Sequence, residues 1–208
     1  MTTSAKASDA RRDAILGAGR IVFAREGYAT ASVDDIASQA GIAKGTVYLY
    51  FKSKEAVYLA ALIQDATALH ETMRQQLDRP APLRDKVRTM LQVRQEYFKS
   101  HEEFLRLYLA EYGSLFRSDR NVPSQFLDLF RDSLKSLSTQ VSRAIKRGEI
   151  RAVSPGALAS AIFDLSRGLT EKRLLGWKAF QAEDELEFVM DLLWTGLEPK
   201  PKSRKAVR

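Results

Sequence analysis

The 208-residue chain has no cysteine, which excludes disulfides and thiol chemistry. Its only two histidines, His70 and His101, stand in no Glu-x-x-His or His-x-x-x-His arrangement. A zinc or iron site of ordinary spacing therefore lacks ligands, and neither a metal nor any other cofactor is expected. There is no glycine-rich loop to cradle phosphate. Gly113-Ser114 lacks both the elbow sequence and a nearby base that would activate the hydroxyl, so an enzyme is not expected. No uncharged apolar run is long enough to cross a bilayer. The N-terminus lacks the basic-then-apolar layout of a secretion signal, which points to the cytoplasm. Sustained polar and apolar alternation, the mark of strands, is also missing. Apolar residues recur instead at spacings of three and four, which makes the expected fold class all-α.

What is present is core material and charge. Hydrophobic residues make up 45% of the chain, enough for a sizeable interior. The formal net charge is +7, but it is unevenly placed. Residues 1 to 55 hold eight Lys/Arg against six Asp/Glu, whereas the tail from Pro199 to Arg208 holds five bases and no acid. That tail has too little apolar surface to fold and reads as a basic, disordered, solubilising end able to hold DNA nonspecifically.

The most informative segment is Ser32 to Lys54, which reads as two short helices hinged at Gly41. Ser32 can cap a helix whose first turn carries Asp34 and Asp35, where the positive end of the macrodipole favours acids. Ile36, Ala37 and Ala40 then follow at helical spacing. Gly41 supplies the residue that turns left-handed without a Cβ penalty. Beyond it, Ile42, Val47 and Phe51 form an apolar face that must pack back on the first helix. Gly45, Thr46, Tyr48 and Leu49 project away from that face, flanked by Lys44 and Tyr50. A helix with hydroxyl and aromatic edges suits the major groove, and Lys44, Lys52 and Lys54 suit phosphates. On pattern alone, an ordinary helical hairpin with a solvated outer face is the favoured reading.

This segment, with Gly41, Thr46, Tyr48, Phe51 and Lys54 in these positions, resembles the N-terminal domain of the TetR family of bacterial one-component transcriptional regulators. The resemblance takes in the preceding helix, Ser8 to Glu26, with its stripe of Ile15, Ala18, Val22 and Phe23 and its stop at Gly27. It implies that Ser32 meets a phosphate and that Lys44, Gly45, Thr46 and Tyr48 approach bases or the adjoining backbone. It further implies that Tyr50 and Lys54 bind phosphate. The chain departs from the family pattern at Ala43, where a capping hydroxyl is common, and at Leu49, where a polar or basic residue is common. A less firmly capped recognition helix is expected.

The implied organisation is a three-helix DNA-binding domain with a helix-turn-helix over residues 1–54, a larger helical ligand-binding and dimerisation domain over 55–198, and the basic tail over 199–208. A long helix is expected from Lys54 to Leu77, stopped by Arg79-Pro80-Ala81-Pro82. Further helices are expected near Pro82 to Ser100, Glu103 to Phe116, Ser124 to Lys146, Pro155 to Leu175 and Glu183 to Leu197. The last two carry matching stripes: Leu158, Ile162, Leu165 and Leu169, then Leu186, Met190, Leu193 and Leu197. Such stripes either face the chain's own core or join a partner's pair in a four-helix bundle. The resemblance favours the bundle, hence a homodimer whose recognition helices, about 34 to 36 Å apart, enter successive major grooves.

A pocket for an unidentified small-molecule effector is the last expectation. Glu103 to Phe116 is apolar nearly all round, and Glu111 shares a stripe with Phe104 and Tyr108, so its carboxylate needs a partner or a raised pKa. Tyr97, Phe104, Tyr108, Glu111, Phe163 and Trp177 are the candidate ligand contacts, and plain core is the competing reading. The partners implied are a palindromic double-stranded DNA operator, a second copy of the chain and the effector, with no membrane. The implied function is a ligand-responsive regulator, a repressor that leaves its operator when the effector binds. A nonspecific or architectural DNA binder, or a helical enzyme or carrier, is the alternative.

Overall fold

The computed structural model describes residues 3–114, 124–174 and 182–199. Within them the fold is all-helical: α1 (Thr3–Thr30), α2 (Val33–Gln39), α3 (Lys44–Tyr50), α4 (Lys54–Asp78), α5 (Leu83–Ser100), α6 (Glu102–Ser114), α7 (Ser124–Arg147), α8 (Pro155–Leu174) and α9 (Ala182–Leu197). The expected helix over residues 54–77 is found almost residue for residue. The Phe116 end of α6, Trp177 and residues 200–208 of the basic tail lie outside the described residues.

The chain forms two compact units, Met1–Leu69 with Tyr97–Leu129, and His70–Glu96 with Phe130–Arg208. Both α4 and α5 contribute residues to each. This grouping follows packing and does not coincide with a sequence division after residue 54.

In the first unit, α2 packs on α1, α3 packs on α2, and α6 lies along α1. Ile15, Leu16, Val22, Ile36, Val47 and Val57 are sealed from solvent there. Helix α1 is broken at Gly27, whose φ of 77° ends regular helix at the residue where the apolar stripe stops. Helices α1 and α4 approach closely at Gly19: a Cβ added there would stand 2.9 Å from Val57 Cγ1. Lys54, the first residue of α4, braces the end of α1. Its ammonium donates to the carbonyls of Tyr28 at 2.7 Å, Ala29 at 3.2 Å and Ala31 at 2.7 Å, and lies 4.7 Å from the centre of the Tyr28 ring. The last carbonyls of a helix have no partner within it, and a cation satisfies them well.

The second unit is held by α5, α7, α8 and α9 with the end of α4. Helix α7 closes with Lys146 and Arg147 in its last turn, and the Glu149 carboxylate beyond it accepts the Leu83 N–H at 2.8 Å, capping α5. Lys86 is buried and donates to the Leu77 carbonyl at 2.8 Å and to Gln140 Oε1 at 3.0 Å. Arg94, 2% exposed, donates to Ser166 Oγ at 2.8 Å and Thr170 Oγ1 at 2.9 Å, linking α5 to α8. A buried charge persists only where such partners replace water.

The paired stripes of α8 and α9 turn inward. Leu158, Ile162, Leu169, Leu186, Met190 and Leu197 are buried within the single chain, and Leu193 is half-buried. Of the eight residues expected at a dimer interface, only Leu165 stands open, at 36% exposure. Among the described residues, the large apolar side chains that these two helices present to solvent are Leu165, Phe188 and Leu192, the last two more than half exposed. Each stripe lines the chain's own core because a helix buries its wider apolar arc first.

Candidate nucleic-acid interface

Helix α2 starts where a capping box fixes it. Ser32 Oγ accepts the Asp35 N–H at 3.2 Å, the Asp35 carboxylate accepts the Ser32 N–H at 2.9 Å, and the Ser32 hydroxyl is hydrogen-bonded to that carboxylate as well. These bonds, the hydroxyl's first, hold the Asp35 carboxyl below the usual aspartate range. Helix α2 closes at Ala40. Gly41 follows at φ 65°, inside the left-handed region, while the Ile42 N–H returns to the Ala37 carbonyl at 3.0 Å.

Helix α3 begins after Ala43, which makes no side-chain cap, in line with the weak cap expected from its methyl group. Its seven residues split cleanly by burial. Val47 and, just past the helix, Phe51 are buried, whereas Lys44, Gly45, Tyr48 and Leu49 are exposed, and Thr46 and Tyr50 are half-buried. Leu49 is 83% exposed, an apolar side chain standing in water on the face that also carries the Tyr48 phenol.

Lys44 and Lys54 of the motif are engaged within the protein, whereas Lys52 is exposed. Lys44 Nζ pairs with Asp34 Oδ2 at 2.7 Å, and that hydrogen bond, then the charge, raises its pKa. Both side chains are half exposed or more, so the pair is a weak surface contact. The Ser32 hydroxyl is spent in the capping box. Lys54, expected at a phosphate, donates to the carbonyls of Tyr28 and Ala29 in α1 and of Ala31 just beyond it. Sequence reasoning missed this bracing role, because the signal is the spatial nearness of residues 28–31 to residue 54.

A polar cluster in the same unit joins α1, α4 and α5. Arg20 donates to Asp65 Oδ2 at 3.1 Å and to Gln64 at 3.2 Å, and Gln64 donates to Asp13 at 3.0 Å. Burial pushes the Asp65 carboxyl up, against the pull of Arg20. The Tyr97 hydroxyl donates to the Asp65 carbonyl at 3.3 Å, and burial followed by the Asp65 charge pushes its pKa up to about 12. His101 stacks on Tyr97 with ring centres 4.2 Å apart. Of this cluster, Tyr97 stood out in the sequence as a candidate contact and His101 only as a histidine without metal-ligand spacing.

The expected effector contacts are divided. Phe104 and Tyr108 meet with ring centres 5.7 Å apart, and Tyr97 reaches Phe104 at 5.9 Å, all within the first unit. Glu111, buried at 5% exposure, accepts the Tyr58 hydroxyl at 2.6 Å. Its carboxylate has found a tyrosine partner in the helical core. Phe163 belongs to the second unit, 6.2 Å from the Phe130 ring. Trp177 lies outside the described residues. Among the described residues there is no group of His, Cys, Asp or Glu able to hold a metal, and no helix long and apolar enough to cross a membrane.

A three-helix head whose third helix keeps its polar and aromatic side outward defines a helix-turn-helix DNA reader. Residues 15–61 match the sequence model of the bacterial regulatory proteins of the tetR family, so this N-terminal part is a DNA-binding head of that family's type. An uncharacterised HTH-type transcriptional regulator of Bacillus subtilis, YerO, is 31% identical over 103 residues, which span 49% of this chain and 36% of that protein. The fatty acid metabolism regulator protein of Bacillus subtilis is 26% identical over 137 residues, 66% of this chain and 69% of it. The crystal structure of the Bacillus subtilis regulator FadR in complex with stearoyl-CoA superposes with a TM-score of 0.74 at 22% identity, over 88% of this chain and 97% of that one. These relatives are regulators, not enzymes.

Proposed function

We propose that the protein acts as a cytoplasmic homodimeric repressor that reads a two-fold symmetric operator with paired α3 helices and leaves it when a small molecule occupies its helical C-terminal part. The observation that carries the reading is the division of α3: Val47 and Phe51 anchor it, and Lys44, Gly45, Tyr48 and Leu49 remain outward. Within this reading Tyr48, Thr46 and Leu49 contact bases, and Lys44 and Tyr50 contact backbone. Ser32 and Lys54 hold the head in shape, and any phosphate contact they make is shared with that duty. The open apolar residues Leu165, Phe188 and Leu192 support a partner surface on α8 and α9 in place of the inward stripes. An acyl-bearing effector is supported by the name of the 26% identical relative in fatty acid metabolism.

The effector acts only to the extent that it binds the released state more tightly than the DNA-bound one. Helix α4 is the natural lever, since its first residue braces the reading head. Selection from a random duplex library tests the reading: the protein should enrich a palindromic site by about 10³-fold or more over unrelated sequence. Tyr48→Ala should then cost about 1 to 3 kcal/mol at that site and relax its sequence preference. Equal affinity for all duplexes, with a steep salt dependence, would favour an architectural binder instead.

A further inference from the structure

We infer that Arg12, on α1, is a contact for the DNA backbone, so that the nucleic-acid interface extends from the helix-turn-helix onto the first helix. The inference rests on the DNA-reading function proposed above and adds to it a residue outside the motif. Much of the motif's own donor capacity is already used. Lys54 donates to three carbonyls at and just beyond the end of α1, Lys44 is paired with Asp34, and the Ser32 hydroxyl is in the capping box. Two cations beside α3 remain. Lys52, directly after Phe51, is exposed, and its side chain makes no hydrogen bond or ion pair among the described residues. Arg12 is the other.

Tertiary packing brings Arg12 to the end of α3. Its guanidinium lies over the Phe51 ring, 5.3 Å from the centre, and Phe51 is the buried residue that closes α3. One turn further along α1, Leu16 is sealed from solvent, so Arg12 carries the inward edge of that helix out to the surface. A ring face attracts a guanidinium and uses none of its N–H donors. The acids nearest in sequence to these two cations are Asp9, Asp13 and Glu55, and neither Arg12 nor Lys52 pairs with any of them. Asp13 accepts from Gln64 at 3.0 Å instead. The Arg12 side chain makes no hydrogen bond or ion pair among the described residues. A planar fork of donors, positioned by an aromatic ring and otherwise unspent, matches the oxygens of a phosphate diester.

The place suits a duplex. The seven residues of α3 span about 10 Å, close to the ~12 Å width of a major groove, so the ends of the helix stand near the backbones that flank the groove. Lys44 marks one end, and Arg12 with Lys52 marks the other. Cations so placed neutralise phosphates whatever the base sequence, and leave the choice of bases to the outward side chains of α3.

Fluorescence anisotropy of the full chain on two duplexes, its selected palindromic site and an unrelated sequence, tests this between about 50 and 200 mM salt. Arg12→Gln should raise the Kd for both duplexes by the same factor, about tenfold, and should lower the slope of log affinity against log salt by about one per bound subunit. Arg12→Met, which keeps an apolar stem over the Phe51 ring, should behave as Arg12→Gln does, while Arg12→Lys keeps the parent slope. Thermal midpoints should stay close to the parent's, since Arg12 is exposed. An arginine that only props α3 through Phe51 gives the opposite split: affinity falls at the selected site more than at the unrelated duplex, and the slope is unchanged. That split, or binding by the Gln and Met variants that matches the parent's, overturns the inference. If Tyr48→Ala abolishes the preference of the parent while Arg12→Gln changes nothing, the DNA reading stands and Arg12 has no part in it. A parent that enriches no duplex ends both.

Discussion

Helix α3 and the pair α8 and α9 each carry an apolar stripe, and the stripes meant different things. In α3 the stripe is narrow. Val47 and, just past the helix, Phe51 are its buried residues, and Lys44, Gly45, Tyr48 and Leu49 stay outward and available to a groove. Helices α8 and α9 carry apolar residues around much of their circumference, with Leu158, Ile162, Leu186 and Met190 inward and Leu165, Phe188 and Leu192 outward. Spacing alone identifies an apolar arc and cannot say whose core it enters. A one-sided helix leaves one answer, whereas a two-sided helix leaves two.

Substitutions can break this comparison, and the largest effect belongs to the inward stripe. Met190→Ala should destabilise the fold by about 2 to 5 kcal/mol, because it empties a fully buried site. Phe188→Glu with Leu192→Glu should leave the thermal midpoint nearly unchanged and convert a dimer to a monomer in sedimentation velocity. The reverse pattern, a stable Met190→Ala monomer, would restore the stripe to the interface.

At the hinge, Gly41→Ala should cost about 1 to 2 kcal/mol, read by chemical denaturation, since its φ of 65° is strained for any residue with a Cβ. The loss should be larger in operator affinity than in global stability if it tilts α3. A smaller effect belongs to the cap. Ser32→Ala should cost about 1 kcal/mol through the lost N-cap. The Asp35 pKa is depressed in the fold, so its contribution is present above the ordinary value of 3.8 and is lost as pH falls through the lowered value. Between neutral pH and pH 4 the parent and Asp35→Asn should therefore differ by a constant amount, and the gap should close in more acid solution, as circular dichroism can follow.

The candidate site was legible where chemistry is local. Ser32, Gly41 and the bare Ala43 act through their own backbone, within three or four residues, so the turn and the two helix starts could be read directly. The bracing role of Lys54 was not legible: its bonds to the carbonyls of Tyr28, Ala29 and Ala31 depend on residues 28–31 arriving beside it. Glu111 stood out as a carboxylate in apolar surroundings, but its partner, Tyr58, lies 53 positions away.

Sequence by itself determined the helical class, the hinge and the outward face of α3, because backbone conformation and a one-sided apolar arc are properties of neighbours along the chain. Tertiary structure alone decided which polar groups were already satisfied and which apolar faces were already covered. Both are questions of what remains exposed after packing, and a side chain's availability is set by distant residues that compete with solvent for it.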